Sequence, residues 1–296
     1  MKKKIYLLAL SLFYFSCFSQ EKKWTTYVGI NYLNNYVYNG RADSLNAPYL
    51  IPSITFENKN GLTLNSDLYY YFDGKNNGFD FLEVNAEYEF DLFKNASGGV
   101  NGTKFFSNGE SDSFIGNLSY TLGGNLNYDF KWIDFNTYFD FLKGSSGLDS
   151  RISPGIERTI SWEKGNRHFE LNPSFYAVFS TLHYFEGYSN TRKLNRPKNG
   201  ALARPSTITT NTLVTNPGLT FMAYEISLPI TYESDTFGIS IIPTYAIPKN
   251  PISTIDITSS TIAGKVTTLS TIVDIPYSER YLNPVFFGQL NFYLKF

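Results

Sequence analysis

Residues 117–130 read NLSYTLGGNLNYDF. Leu118, Tyr120, Leu122, Gly124, Leu126, Tyr128 and Phe130 share one parity; Asn117, Ser119, Thr121, Gly123, Asn125, Asn127 and Asp129 share the other. Successive side chains of a strand point to opposite faces, so this stretch describes a sheet wall that is apolar on one side and wet on the other. Residues 62–73 and 82–92 alternate in the same way, whereas apolar residues seldom recur at the three-and-four spacing of a helix. A soluble sandwich alternates too. Length separates the two cases: these runs reach about 10–14 residues, against about 5–6 for an ordinary strand and about 9–11 for one that crosses a bilayer at a tilt.

Working outward, the alternation predicts an all-β chain with strands at residues 24–38, 48–57, 62–73, 79–92, 100–107, 114–130, 134–143, 151–162, 167–182, 219–233, 236–248 and 279–296. Links after even-numbered strands, around 58–61, 131–133, 163–166 and 234–235, are tight. Those at 39–47, 183–218 and 249–278 come after odd-numbered strands and are long. Short turns at one rim and long loops at the other are the rhythm of an antiparallel up-and-down transmembrane β-barrel. Two links depart from it: 93–99 is long for a turn, and 74–78 is short for a loop. Hydrocarbon offers a backbone amide no partner, so such a sheet spans only if it closes. An even strand count then puts the N- and C-termini together on the periplasmic side. Residues 252–275 leave the count between twelve and fourteen. Two β-rich runs there flank Ala263-Gly264-Lys265, either as a hairpin of the outer loop, which their ragged alternation favours, or as two more spanning strands.

The composition of the 296 residues agrees with a wall of this kind. Aromatic residues make up 18 % and charged residues 17 %, which excludes a disordered chain. A mean hydropathy of -0.22 and the lack of any run of about 18 apolar residues exclude a helical membrane protein. A net charge of -1 gives no electrostatic case for a nucleic-acid partner. Lys2, Lys3 and Lys4 precede an apolar run at 5–15, with the small residues Cys17 and Ser19 after it. That is the pattern of a signal peptide over residues 1–19, leaving a barrel over 20–296. The alternative makes Cys17 the acylated first residue of a lipoprotein, for which Tyr14 and Phe15 form a poor lipobox. Cleavage after Ser19 removes the single cysteine, so disulfides, a thiol nucleophile and a metal cluster have no support, and no cofactor is expected.

The wet parity gives an inventory of the lumen. It carries Asp67, Glu83, Glu87, Glu89, Asp91, Asp129, Asp140, Glu157, Glu170 and Glu225 against Arg151, Lys295 and Lys104, with His168 near the periplasmic end. A water-filled lumen of that balance favours cations; alternatively, the carboxylates pair with the basic residues and tyrosine hydroxyls and plug a narrow barrel. Arg192, Lys193, Arg196, Lys198 and Arg204 crowd the long outer loop, interrupted by Pro197 and Pro205. They suit lipopolysaccharide phosphates, or are a solvated loop. Trp24, Trp132 and Trp162 fall at expected periplasmic strand ends, where an aromatic girdle sits. Arg158 falls on the lipid parity, so either its side chain snorkels or a bulge shifts the phase. His183 with Ser180 and Ser189 is the one constellation a hydrolase would use, and its flanks match no catalytic motif. The expected function is therefore a non-enzymatic channel for passive or weakly selective diffusion of small hydrophilic solutes. A non-conducting surface-binding barrel is the alternative, ahead of a membrane-embedded hydrolase.

Two resemblances extend this reading. Leu282, Pro284, Phe286, Gly288, Leu290, Phe292, Leu294 and Phe296 share a parity, and Gln289, Asn291, Tyr293 and Lys295 alternate with them. The segment resembles the C-terminal strand of bacterial outer-membrane β-barrels, which the assembly machinery reads. That resemblance implies Phe292, Leu294 and Phe296 as the assembly signal, the outer membrane as location, and its lipid and lipopolysaccharide as surroundings. The opening stretch Tyr36-Val37-Tyr38-Asn39-Gly40-Arg41, Pro48, the strand at 51–56, Lys59-Asn60-Gly61-Leu62, and Phe81-Leu82-Glu83-Val84 before Tyr88 resembles the start of TorF-type porins. It implies a porin but no substrate class. Phe18-Ser19-Gln20 and the Asn- and aromatic-rich chain resemble exported proteins of Bacteroidetes-type Gram-negatives.

Overall fold

The computed structural model describes residues 23–42, 47–72, 77–107, 118–144, 147–181, 183, 189–193, 207–214, 218–250, 253–262, 265–270, 275–276 and 282–296, with backbone alone for the short strands between 189 and 276. The leader expected at 1–19 lies outside them.

Twelve strands close into one antiparallel barrel. They are β1 Trp24–Leu33, β2 Tyr49–Asn58, β3 Leu62–Phe72, β4 Asn77–Phe93, β5 Ala96–Ser107 and β6 Leu118–Asp129. The second half comprises β7 Asp134–Gly144, β8 Leu148–Glu157 continued by Ile160–Lys164, β9 Arg167–Leu171 continued by Ser174–Ser180, β10 Thr220–Ser227 continued by Ile230–Glu233, β11 Phe237–Pro248 and β12 Val285–Lys295. Each pairs with its neighbours in sequence, and β12 pairs with both β11 and β1, which closes the sheet; among the described residues the rim segment Ile160–Lys164 pairs with Arg167–Leu171 alone. Among the described residues there is no α-helix. Residues 253–262 and 265–270 pair with each other and not with the wall; 253–262 also pairs with 207–214, which pairs with 189–193. The two long loops therefore share a small sheet of their own, and the fourteen-strand arrangement is excluded.

Several boundaries differ from the sequence expectation. The link at 93–99 is a two-residue turn, Lys94-Asn95, with Asn95 at φ 65, and β5 runs from Ala96 through both glycines. Gly98 and Gly99 are wall positions because neighbours occupy the space above them: a Cβ on Gly98 would meet the Phe90 ring at 3.3 Å, and one on Gly99 the Asn125 side chain at 3.0 Å. The strand expected at 24–38 stops at Leu33, where Asn34 exchanges bonds with Gly288, its N–H to the Gly288 carbonyl at 3.1 Å and the Gly288 N–H to its Oδ1 at 2.7 Å. Beyond Asn34 the chain leaves the wall and enters the barrel.

The register assigns the faces. Leu122, Phe141, Ile241 and Phe286 look outward and are at least half exposed, within an apolar band that includes Val28, Leu64, Val84, Ile152, Ile226 and Leu290. Water would not tolerate an apolar girdle of that extent, and lipid would. Trp24, Trp132 and Trp162 are exposed at the rim of short turns. β8, β9 and β10 are interrupted at Arg158, Asn172-Pro173 and Leu228-Pro229, since proline offers no N–H to the ladder. Single bonds bridge the seam: Arg158 N–H to the Pro173 carbonyl (3.1 Å), Asn172 to Pro229 (3.0 Å) and Leu228 to Pro243 (3.1 Å). Glu157 faces Ser174 and Ile160 faces Leu171 in one unbroken register, so no bulge shifts the phase and Arg158 stays on the outer parity.

Candidate functional site

The barrel interior is the candidate site, and it has two layers. At the long-loop end the inner wall is apolar. Phe81, Phe105, Leu118 and Leu142 form one buried cluster; Leu33, Tyr49 and Ile51 form another. Tyr36, from the segment after β1, packs on both, and Tyr69 stacks on Phe81 with ring centroids 4.1 Å apart. The Tyr49 hydroxyl donates to the buried Asp80 at 2.9 Å. These inward-facing apolar residues are not in the polar inventory expected of a lumen. They are there because the chain between β1 and β2 folds inside and needs something to pack against.

That segment crosses the lumen. Residues 37–38 and 41–42 make a short hairpin with Asn39 at φ 49 and Gly40 at φ 77. A Cβ on Gly40 would collide with the Ala223 side chain of β10, so glycine permits the close approach to the far wall. The Arg151 guanidinium of β8 lies 5.8 Å from the centroid of the Tyr38 ring. Burial holds the Tyr38 phenol protonated, above its ordinary range, against the pull of Arg151. Buried Arg41 donates to its own hairpin at the Asn39 carbonyl (3.0 Å) and to the Lys249 (2.8 Å) and Asn250 (2.7 Å) carbonyls beyond β11. The hairpin is thus pinned at both ends and narrows the barrel at its long-loop side. Arg41 entered the sequence reading only as part of the porin-like opening stretch, with no partner assigned, because nothing in its neighbours signals one some two hundred positions away.

Towards the short-turn rim the interior is polar. Asp67, Glu83, Glu87, Glu89, Asp91, Asp129, Asp140, Glu157, Glu170 and Glu225 all fall on the inner parity of the register, and Glu57, Asp134 and Glu233 join them. Lys104 does not. It pairs across the strands with Val84 and Tyr120, both outward-facing, and is itself exposed on the outer face, while Phe105 takes the inner position. The sequence expectation assumed a charged residue would seek water inside. In the barrel, the inner level is the apolar layer beneath the hairpin, and the outer one lies near the rim.

The remaining inner cations have acidic partners. Arg151 Nε is 3.2 Å from Asp140 Oδ2, and Lys295 Nζ is 2.5 Å from Glu233 Oε1. His168 Nε2 lies 3.3 Å from Glu170 and its Nδ1 3.9 Å from Glu163. Tyrosine hydroxyls hold three more carboxylates or share them: Tyr27 to Glu57 (2.9 Å), Tyr176 to Glu157 (2.7 Å) and Tyr293 to Glu233 (2.9 Å). Among the described residues no Lys or Arg pairs with Glu83, Glu87, Glu89 or Asp91 of β4. A polar recess of about 280 Å³ opens in the same wall between Tyr27, Asn31, Asp67 and Tyr293.

Outside the lumen, Phe292, Leu294 and Phe296 lie on the outer face of the closing strand. Of the basic cluster, Arg192 and Lys193 belong to the paired backbone of residues 189–193, and their side chains, with all of Arg196, Lys198 and Arg204, lie outside the described residues. Ser180 Oγ donates to the Thr181 carbonyl at 2.9 Å, and the His183 backbone N–H donates to Asp149 at 2.8 Å. The Ser189 side chain lies outside the described residues.

No protein-family profile and no curated sequence matches this chain. Among solved structures it is similar to a bacterial polysaccharide outer membrane secretin, at 9 % identity and a TM-score of 0.35 over 94 % of this chain and 100 % of that one. It is similar to OmpF of Salmonella typhi in a complex with daunomycin, at 9 % identity and a TM-score of 0.30 over 92 % of this chain and 97 % of that one. It is also similar to an anion-selective porin from Comamonas acidovorans, at 9 % identity and a TM-score of 0.24 over 92 % of this chain and 98 % of that one. The barrel assignment itself rests on the strand pairing of this chain.

Proposed function

We propose that this protein is an outer-membrane channel of the TorF-type porin kind, which lets small hydrophilic solutes diffuse passively and prefers cations. The observation that carries the proposal is the charge balance inside: carboxylates line the polar half, and the described inner cations are already paired with acidic groups or with carbonyls. The net field in such a lumen attracts cations and repels anions. Permeation needs no chemical step; carboxylates, amides and hydroxyls replace part of the permeant's hydration, and the hairpin at 37–42 sets the size limit. In this reading the short-turn rim faces the periplasm, the leader delivers the chain there, and Phe292, Leu294 and Phe296 engage the assembly machinery. The basic loop cluster, Arg192 to Arg204, then faces lipopolysaccharide.

A second reading is favoured by one feature, the aromatic packing around Tyr36 and Tyr38. If that layer shuts the barrel, the protein is a non-conducting barrel whose shared loop sheet is its working surface. The refolded protein in a planar bilayer under a KCl gradient separates the two. The channel reading expects a steady conductance with a reversal potential on the cation side; anion preference overturns the cation reading, and no conductance leaves the closed barrel.

A further inference from the structure

Charge is sorted by face in this barrel. Carboxylates occupy the inner parity, whereas every charged side chain on the outer parity of the described barrel strands is basic: Lys104, Lys143, Arg158, Lys164 and Arg167. Arg158, Lys164 and Arg167 sit towards the short-turn rim. Lys104 and Lys143 stand apart from them, in the long-loop half, and the register sets Tyr120 between them: Lys104 opposite Tyr120, and Tyr120 opposite Lys143. With strands spaced about 4.8 Å apart, the two lysine backbones are about 10 Å from each other. Lys104 is exposed, with its ammonium 5.8 Å from the centroid of the outward Phe106 ring, and Tyr120 is 40 % exposed. Among the described residues no carboxylate of the wall shares this face, so the wall itself offers the two ammoniums no counter-ion.

Next to Lys104 the outer wall is dented. Ala86 of β4 and Gly102 of β5 face each other, with the small Ser66 of β3 on the diagonal from Ala86, and Phe56, Leu64, Val84 and Leu122 flank them around a trough of about 750 Å³. Its lining is almost entirely apolar, and Lys104 and Tyr120 close one edge. A trough of small residues would by itself only be filled by loose lipid. Lys104 at its edge and Lys143 one strand beyond Tyr120, neither with an acidic partner among the described residues, select an amphiphile with an anionic head, since a charge at this depth is tolerated only where it meets a headgroup or water.

We propose that this face binds lipid A, with headgroup phosphate between Lys104 and Lys143, the Tyr120 hydroxyl beside it, and one acyl chain laid in the trough over Gly102. The choice of a phosphorylated glycolipid over a glycerophospholipid rests on the orientation proposed above, in which the long-loop rim lies in the outer leaflet.

The test is native mass spectrometry of the full-length barrel released from detergent after addition of lipid A, phosphatidylglycerol or phosphatidylethanolamine. Wild type retains one lipid A and neither phospholipid. Lys104→Gln/Lys143→Gln loses the adduct. Gly102→Leu loses it by a different route, filling the trough; a Cβ there would meet only Leu122 Cδ2 at 3.4 Å, so the wall accommodates a side chain. Arg158→Gln/Arg167→Gln, at the opposite rim, retains lipid A. Heat-modifiable migration in gels establishes that each variant is a folded barrel. Retention of lipid A by the double lysine variant, or equal retention of phosphatidylglycerol by wild type, overturns the site. The readout does not depend on conductance, so failure of the channel reading leaves it standing and failure of the lipid site leaves the channel untouched.

Discussion

Arg41 carries more consequence than any other single side chain in the lumen. Its three bonds to main-chain carbonyls tie the hairpin to itself and to the chain beyond β11. Hydrogen bonds from a charged donor contribute about 1.5–3 kcal/mol each, and here they hold a segment in place without adding to the ladder of the wall. Arg41→Ala is therefore expected to raise and destabilise the single-channel conductance while leaving the heat stability of the barrel near that of wild type. A conductance equal to or below wild type would mean the hairpin is not the constriction. Lys104 teaches the complementary lesson at this scale. The inner-parity neighbours of β5, Asn101, Thr103 and Phe105, mix polar and apolar, as do Gly102, Lys104 and Phe106 outside. With no clean apolar parity, the phase of that strand cannot be read from its own residues.

At the scale of strands, the wall repeats one device. Tyr176 of β9 lies over Gly155 of β8 and donates to Glu157; Tyr293 of β12 lies over Gly238 of β11 and donates to Glu233. In each case the missing side chain on one strand is the space its neighbour's ring occupies, and the hydroxyl is aimed at a carboxylate. Added Cβ atoms would overlap those rings. Overpacking of a fitted site costs about 1–3 kcal/mol, so Gly155→Ala and Gly238→Ala should each lower the temperature at which the barrel loses its compact gel mobility. Unchanged transitions in both would show that the rings move aside freely. Residue alternation could not have announced these pairs, since each glycine simply reads as a weak strand position.

For the whole molecule, the sorting of sign matters most: acidic inside, basic at the outer rims, apolar between. If the β4 carboxylates set the field, Glu87→Gln/Glu89→Gln/Asp91→Asn should move the reversal potential towards zero, with folding unaffected because no described ion pair is lost. An unaltered potential would place selectivity elsewhere along the lumen. The ten-to-fourteen-residue alternation, the short and long links and the polar inner parity were legible in sequence because hydrocarbon imposes its rule locally, on every second residue and every backbone amide. That rule alone determined the closed wall. The hairpin across the lumen, the apolar layer beneath it and the sheet shared by the two long loops were decided only by tertiary structure. They depend on contacts such as Arg41 with Lys249 and Asn250, or Tyr38 with Arg151, between residues far apart in the chain, and contacts of that kind leave no period for a sequence to display.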